Sequence, residues 1–359
     1  MARALSVKAP GRICFFGDHQ DYLGLPVIAA TIDRYIYMEA TPKEEKTLSI
    51  ELLDLDQQET LSLDENFDLL APRDYFRSVL RVLKRAGIHL RQGYHVKIHG
   101  DIPLESGLSS SSAMVVAWTR LLLKLAQPQH YYSDEQIAQW SYTAEVLEFN
   151  EPGGLMDQYT IALGGMVCLN TVTGSYQRLS APWESVIIGD SGIKKSTLSV
   201  LSQAKDNALE ALEIVKTQDP SFQLEKAGKA TYLQTEDLLP SALKPYWYAA
   251  IHNHLITQEA LSLLNQPTIE MNKLGQLINA HQTILQHQIK NTPSRIIEMM
   301  EAANAKGAYG TKIVGSGGGG CFVALCSQDS TANVIKAIET TGARQAFSVN
   351  ITLFSNGKI

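Results

Sequence analysis

Hydrophobic and polar positions alternate with a period of two through much of the first hundred residues, which predicts β-strands there. The predicted strands cover residues 5–8, 12–16, 27–30, 35–40, 48–53 and 94–99. One helix interrupts them, because Asp74 precedes apolar residues at helical spacing and Gly87 follows them, as an N-cap and a C-terminal glycine would. The pattern therefore predicts mixed strand and helix.

The spacing becomes helical over residues 110–126 and 133–147, and Ser133 with Gln136 has the pattern of a capping box. Further elements are predicted as strands at 166–170 and 186–189, a largely helical stretch at 198–305, strands at 311–314, 321–325 and 346–353, and a helix at 331–341. The change near residue 190 predicts two units, residues 1–190 and 191–359, in a chain of α+β class.

Composition and charge narrow the possible functions. The chain has 359 residues and a net charge of -6, which argues against a protein that reads the phosphate backbone of nucleic acids. It contains no run of 18 apolar residues, and its first residues lack the apolar core of a signal peptide. We therefore expect a cytoplasmic protein without a membrane partner.

The four cysteines have neither the spacing of a metal site nor that of a disulfide framework, so we expect reduced, buried thiols. They are Cys14, Cys168, Cys321 and Cys326.

Residues 103–114, PLESGLSSSSAM, form a serine segment between a predicted strand and a helix. Glycine permits a tight turn, serines permit close approach, and the free amides of a helix N-terminus attract an anion such as phosphate. A serine-rich start could also simply cap its own helix. The segment lacks the Walker A lysine, and Gly107-Leu108-Ser109 continues to Ser111 where a nucleophile elbow needs glycine.

The glycine run, residues 315–320, formally satisfies G-x-G-x-x-G. A strand-like segment, not a helix, follows it, and too few residues remain for a dinucleotide-binding domain. The run is either a tight hairpin or backbone that lies close to a ligand.

Acidic residues supply candidates for proton transfer and metal binding. Asp157 follows Gly154 in an apolar stretch, where a carboxylate is costly unless it has a partner or a task. It could be a general base or an acid stabilised by a helix N-terminus. Glu145 and Glu148 lie three residues apart on one predicted helix face, so one of them could serve a metal.

The opening segment, residues 10–22, reads PGRICFFGDHQDY and places an arginine, two acids and a histidine after a strand. Such a loop offers acceptors for sugar hydroxyls and a fixed cation, although loops are also polar merely because they are solvated. The other histidines lack the spacing of a metal site.

In this order, the opening segment, the serine segment and the glycine run resemble the three motifs of the GHMP kinases, the superfamily of galactokinase, homoserine kinase, mevalonate kinase and phosphomevalonate kinase. PGR followed by GDHQDY is similar to the galactokinase signature PGR and G-E-H-T-D-Y, and EPGGLMDQY resembles its G-I-M-D-Q stretch. The resemblance implies the two-lobed GHMP kinase fold, with a ribosomal protein S5-like N-terminal lobe and a ferredoxin-like α+β C-terminal lobe.

The resemblance also implies ATP and Mg²⁺ as cofactors and a role for each matching residue. ATP would be held by Gly107, Leu108, Ser109, Ser110, Ser111, Ser112, Gly317 and Gly318. Mg²⁺ would be held by Glu145 and Ser111, with Ser112 as the alternative serine. Asp157 would accept the proton of the substrate hydroxyl, and Arg12 would stabilise charge beside it. The sugar site would be lined by Asp18, His19, Asp21 and Gly154.

Departures from the galactokinase pattern leave the substrate open. Galactokinase has glutamate at Asp18 and threonine at Gln20, whereas residues 190–197 and 307–313 resemble mevalonate kinases and heptose- and uronate-kinase relatives. Arg12 stands where mevalonate kinase has lysine. We expect an ATP-dependent, galactokinase-like sugar 1-kinase, monomeric or homodimeric.

Two alternatives remain. One is a mevalonate-type kinase, whose substrate carboxylate would need a cation such as Lys194 or Lys195. The other is a non-catalytic sugar sensor with the same fold.

Overall fold

The alternating segments of the first part of the chain form one sheet of seven strands. The computed structural model describes residues 4–104, 106–194 and 197–354, so Glu105 and Lys195 lie outside the described residues. The strands are β1 (Leu5–Phe16), β2 (Val27–Lys43), β3 (Thr47–Leu52), β4 (Gln57–Ser62), β5 (Gly93–Gly100), β6 (Met166–Leu169) and β7 (Tyr176–Leu179). Their order is β4-β3-β5-β2-β6-β7, with β1 paired to β2.

Strand β1 joins the two predicted strands on either side of Pro10 into one. Its antiparallel register with β2 shifts between Pro10 and Gly11. Just past the shift, the amide of Arg12 donates to the carbonyl of Leu108 at 3.0 Å, and a Cβ on Gly11 would lie 2.9 Å from that same oxygen. The irregularity therefore brings β1 against the serine segment.

Four helices cover the first sheet: α1 (Tyr75–Arg85), α2 (Ser110–Ala126), α3 (Asp134–Glu145) and α4 (Met156–Leu163). Two predicted N-caps are confirmed, since the side chain of Asp74 accepts from the amide of Arg77 and that of Ser133 accepts from the amide of Gln136. Helices α2 and α4 pack on β1 and β2, with Trp118 fully buried in the core. We call this sheet with its helices the first lobe.

A second sheet contains β8 (Ser185–Asp190), β9 (Ala308–Ile313), β10 (Cys321–Cys326) and β11 (Gln345–Val349). Its order is β11-β8-β10-β9, and all neighbours are antiparallel. The helices of this second lobe are α5 (Thr197–Gln218), α6 (Lys229–Thr235), α7 (Lys244–Leu264), α8 (Met271–Ile284), α9 (Ser294–Ala305) and α10 (Thr331–Thr340). The strand order is that of a ferredoxin-like unit with an enlarged first crossover.

Several details differ from the sequence pattern. The boundary predicted at residue 190 falls at the end of β8, which itself pairs within the second sheet, and the division at 190 stays a prediction. The last predicted strand stops at Val349, after which Ile351 and Phe354 form single bridges to the first lobe.

The four cysteines are free and buried, as expected. Within the three described ranges, no helix is long and apolar enough to cross a membrane.

Candidate active site

A cavity of about 730 Å³ opens where the two lobes meet. Most of its wall comes from the first lobe, and Leu201, Gly315 and Ser316 are contributed by the second. Twelve of the predicted site residues line it: Arg12, Asp18, His19, Asp21, Gly107, Ser109, Ser110, Ser111, Ser112, Glu145, Gly154 and Asp157. Segments that are far apart in the sequence therefore converge on one space.

Asp157, in the first turn of α4, is bound by Arg12 through two parallel hydrogen bonds. Arg12 Nε lies 2.7 Å from Oδ1 and Nη2 lies 2.9 Å from Oδ2, while Nη1 donates to the carbonyl of Gly107 at 2.6 Å. Burial opposes the charge of Arg12, but Asp157 outweighs it and the pKa of the guanidinium is raised. The Arg12 side chain is almost fully buried, whereas that of Asp157 remains 25% exposed and faces the cavity.

Ser109 stands at the N-cap of α2 but does not cap it. Its backbone is left-handed, with φ of 59°, which is unusual for a residue with a side chain. The hydroxyl donates to Asp157 Oδ2 at 2.5 Å instead of accepting from the helix. The structure thus places Ser109 on the carboxylate of Asp157, although the resemblance assigned it to the phosphates.

The backbone of the rest of the serine segment has the geometry of a helix N-terminus, a feature that can bind an anion. Gly107 has φ of 87°, and the first hydrogen bond of α2 runs from Ala113 N to Ser109 O at 2.9 Å. The amides of residues 110–112 consequently have no partner within the helix, and these residues line the cavity. The serine segment is held by both lobes. Leu108 O accepts from the amide of Arg12 in the first lobe, and Ser106 O accepts from the amide of Cys321 in the second lobe at 2.8 Å.

Glu145, at the end of α3, is the acid of the predicted pair that faces the cavity. Gln158 Nε2 donates to its carboxylate at 2.6 Å. Burial raises the pKa of Glu145 to about 7, although hydrogen bonds from Gln158, Ser112 and Ser111 act in the opposite direction. Glu148 points elsewhere, because Arg81 and Arg85 of α1 bind it at 2.5 and 2.6 Å.

Asp21 of the opening segment also lines the cavity. Its carboxylate accepts from the amides of Tyr22 at 3.0 Å and Gly154 at 3.1 Å. Burial, with a further contribution from the charge of Asp157, raises the pKa of Asp21 to about 6. A Cβ on Gly154 would lie 2.4 Å from Asp21 Oδ2, so this contact requires glycine.

Two further residues of the opening segment contact the second lobe. Asp18 Oδ2 lies 2.5 Å from Lys312 Nζ. Burial alone would raise the pKa of Asp18, but the Lys312 ammonium holds it below its usual value. His19 has left-handed backbone, and its Nε2 lies 3.1 Å from Ser316 O.

The glycine run joins β9 to β10, which pair as an antiparallel hairpin, and it also reaches the cavity through its first two residues. Gly318 donates to Asn291 O at 2.6 Å, and a Cβ on Gly317 would lie 2.5 Å from the same atom. Gly317 and Gly318 therefore pack on Asn291 and do not line the cavity. Leu108 is fully buried against β1 and does not line the cavity either. Contact of these three residues with ATP stays a prediction.

Sequence reasoning missed Gln158 and Lys312. Gln158 directly follows the candidate base and is the glutamine of the stretch that resembles G-I-M-D-Q, but no role was assigned to it. The sequence does mark Lys312, because it is the one lysine of the strand predicted at 311–314 and is followed directly by the apolar Ile313 and Val314. Of the lysines proposed for a mevalonate-type substrate, Lys194 is exposed, and Lys195 lies outside the described residues.

Three segments of the sequence match known protein families. Residues 74–165 match the GHMP kinases N terminal domain, residues 260–344 match the GHMP kinases C terminal domain, and residues 2–42 match the galactokinase galactose-binding signature. The chain is 27% identical over 340 residues to a galactokinase of Pyrococcus furiosus, which covers 93% of this chain and 92% of that one. It is 28% identical over 345 residues to a mevalonate kinase of Thermococcus sibiricus, with 93% and 92% covered.

Solved structures support the fold. The Lactococcus lactis galactokinase complexed with galactose superposes with a TM-score of 0.87 at 23% identity, covering 98% of this chain and 94% of that one. A mevalonate kinase of Methanococcus jannaschii gives 0.75 at 16% identity, with 98% and 99% covered. The predicted two-lobed fold is confirmed.

Proposed function

Because the chain belongs to the GHMP kinase superfamily, we propose that it is an ATP-dependent sugar kinase, a galactokinase-like enzyme that phosphorylates the 1-hydroxyl of a hexose. One observation carries the proposal: the carboxylate of Asp157 is fixed by Arg12 between an anion-binding helix end and the acidic opening segment. The match to a galactose-binding signature over residues 2–42 includes that opening segment.

The nucleotide end of the cavity is the serine segment. The free amides of residues 110–112 and the positive end of α2 suit the phosphates of ATP. No flanking lysine is needed for this contact, since backbone amides alone bind phosphate at helix N-termini.

Glu145 and the hydroxyl of Ser111 or Ser112 fit Mg²⁺. All three offer oxygen atoms, which a hard cation prefers, and Gln158 Oε1 beside them is buried without a partner among the described residues. No group of three His, Cys, Asp or Glu side chains that could hold a metal is found in the described ranges. Mg²⁺ usually takes one or two protein carboxylates together with phosphate oxygens of the substrate, so the nucleotide would supply further ligands here. When bound, it would neutralise phosphate charge.

Asp157 accepts the proton of the sugar hydroxyl as that oxygen attacks the γ-phosphorus. The O–H bond breaks, a P–O bond forms, and the bond from the γ-phosphorus to the bridging oxygen of ADP breaks. Arg12 holds both carboxylate oxygens in one orientation and keeps a positive charge near the developing negative charge. Ser109 fixes Asp157 from the other side.

The acceptor end favours a polyol over a carboxylic acid. Asp21 and Asp157 both face the cavity, and sugar hydroxyls are donors that suit such acceptors. A mevalonate-like carboxylate would be repelled by these acids. This contrast separates the proposed function from the mevalonate-type alternative.

A coupled ADP-release assay against galactose, other hexoses, uronic acids, heptoses and mevalonate tests the proposal. We expect turnover with a hexose and none with mevalonate, and the Asp157→Asn variant provides the matched inactive control. Turnover with mevalonate alone would replace the proposal by the mevalonate-type activity. Binding of ATP without ADP formation from any acceptor would indicate the sensor.

A further inference from the structure

Three successive side chains of the opening segment are anchored in the second lobe, although their backbone belongs to the first. Asp18 Oδ2 meets Lys312 Nζ of β9 at 2.5 Å, and His19 Nε2 lies 3.1 Å from Ser316 O. Gln20 accepts from Thr257 Oγ1 of α7 at 3.2 Å and donates to a carbonyl of the same helix at 3.4 Å. The position of this segment is thus set from across the lobe junction.

The fourth residue, Asp21, turns back to the first lobe, where it accepts from Gly154 N and faces the cavity. Between the anchors and Asp21 the backbone is continuous and tightly bonded, with Gln20 N donating to Gly17 O at 3.1 Å and Gly24 N to Asp21 O at 3.1 Å. A shift of Asp18 would therefore be passed on to Asp21.

The pair formed by Asp18 and Lys312 is the most buried of these anchors. The side chains are 1% and 0% exposed, and Lys312 Nζ also donates to Ile313 O at 2.8 Å. Lys312 is absent from the cavity lining, so it has no direct access to a substrate. Buried pairs of this kind are strongly disrupted when one partner is removed, because the remaining charge has no compensation.

His281 of α8 lies near the pair without supplying a charge. Burial, with the nearby Lys312 ammonium adding to it, lowers the pKa of His281 to about 3, so the ring is neutral at working pH. Lys312 is consequently the cation in contact with Asp18.

We propose that Lys312 is a positioning residue for acceptor binding, acting through Asp18 to hold the opening segment so that Asp21 meets the sugar. The inference rests on the proposed function for the identity of the acceptor. Asp18 and Gln20 are the two positions at which the opening segment departs from the galactokinase signature. Both of their side chains contact residues of the second lobe.

The test compares Lys312→Met with Lys306→Met, a matched change of an exposed lysine at the end of α9. For Lys312→Met we expect the KM for galactose to rise about tenfold or more and the KM for ATP to change less than about twofold. Hydrogen exchange of the amides of residues 20–25 should accelerate about tenfold, a readout that needs no substrate. Lys306→Met should behave as the wild type in all three measurements.

A double-mutant cycle with Asp18→Asn completes the experiment. Because the two residues act as one unit, the double variant Asp18→Asn with Lys312→Met should have the same galactose KM as Asp18→Asn alone. The double variant leaves no unpaired buried charge, so it can be measured even if Lys312→Met alone fails to fold. Fully additive effects on the galactose KM, or a folded Lys312→Met variant with unchanged KM and exchange, would overturn the proposal. If the wild type phosphorylates no sugar, the proposed function fails, whereas the exchange measurement still decides the role of Lys312.

Discussion

The protonation state of Asp21 should control acceptor binding. Burial and the nearby Asp157 raise its pKa from 3.8 to about 6, so the carboxylate is almost fully ionised at about pH 7.5 and about one-tenth ionised at about pH 5. Only the ionised form accepts hydrogen bonds from sugar hydroxyls with both oxygens. The KM for the sugar should therefore rise about tenfold between these two pH values.

The assay is the sugar KM across this pH range at saturating ATP, with the KM for ATP measured in parallel. Asp21→Asn should have a high sugar KM that no longer depends on pH. A sugar KM that stays constant in the wild type, or one that falls as the pH falls, would refute the reasoning.

The same shift predicts a change in stability with a defined sign. Since the folded pKa lies above the unfolded one, the native state binds more protons between pH 3.8 and about 6, and the free energy of unfolding falls as the pH rises through this window. The shift of about 2 pKa units corresponds to about 3 kcal/mol. Asp21→Asn should accordingly melt above the wild type at about pH 7.5 and close to it at about pH 4 in thermal unfolding.

Asp157→Asn should lower kcat by about 10²–10⁴-fold with little change in the KM for ATP, because the amide cannot accept the proton; retained kcat in a normally melting variant would exclude it as the base. Glu145→Gln should raise the Mg²⁺ concentration needed for half-maximal rate, whereas Glu148→Gln, whose carboxylate binds α1, should not; equal Mg²⁺ curves would contradict the assignment. Gly154→Ala should raise the sugar KM because its Cβ would lie 2.4 Å from Asp21, while Gly153→Ala, with 3.6 Å to Val146, should bind sugar normally.

Local signals in the sequence were sufficient for elements that carry their own caps. Asp74 and Ser133 mark the starts of α1 and α3 because each side chain bonds to its own helix. Helix α4 was anticipated only as one reading of Asp157, an acid at a helix N-terminus, since its eight residues are too short to display a helical period and follow glycines that indicate a loop. Strand β4 was missed because QQETLS is polar and lies at the sheet edge.

The candidate site was predictable where a motif carried it and not where distant residues meet. Arg12 and Asp157 are 145 residues apart, and only the resemblance to known motifs related them. The contact of Lys312 with Asp18 spans 294 residues, and no spacing rule indicates it. The resemblance to the family's phosphate loop assigned Ser109 to ATP, whereas the backbone at this position is left-handed and the hydroxyl donates to Asp157.

The central claim is that this site transfers a phosphoryl group to a sugar hydroxyl with Asp157 as the base. The most direct test is ³¹P NMR of the product formed from galactose, ATP and Mg²⁺, with Asp157→Asn run beside the wild type. The account predicts a sugar 1-phosphate signal that grows with ADP in the wild type and grows about 10²–10⁴-fold more slowly in the variant. A phosphorylated product at another hydroxyl would contradict the assigned position, and equal product from the variant would contradict the role of Asp157.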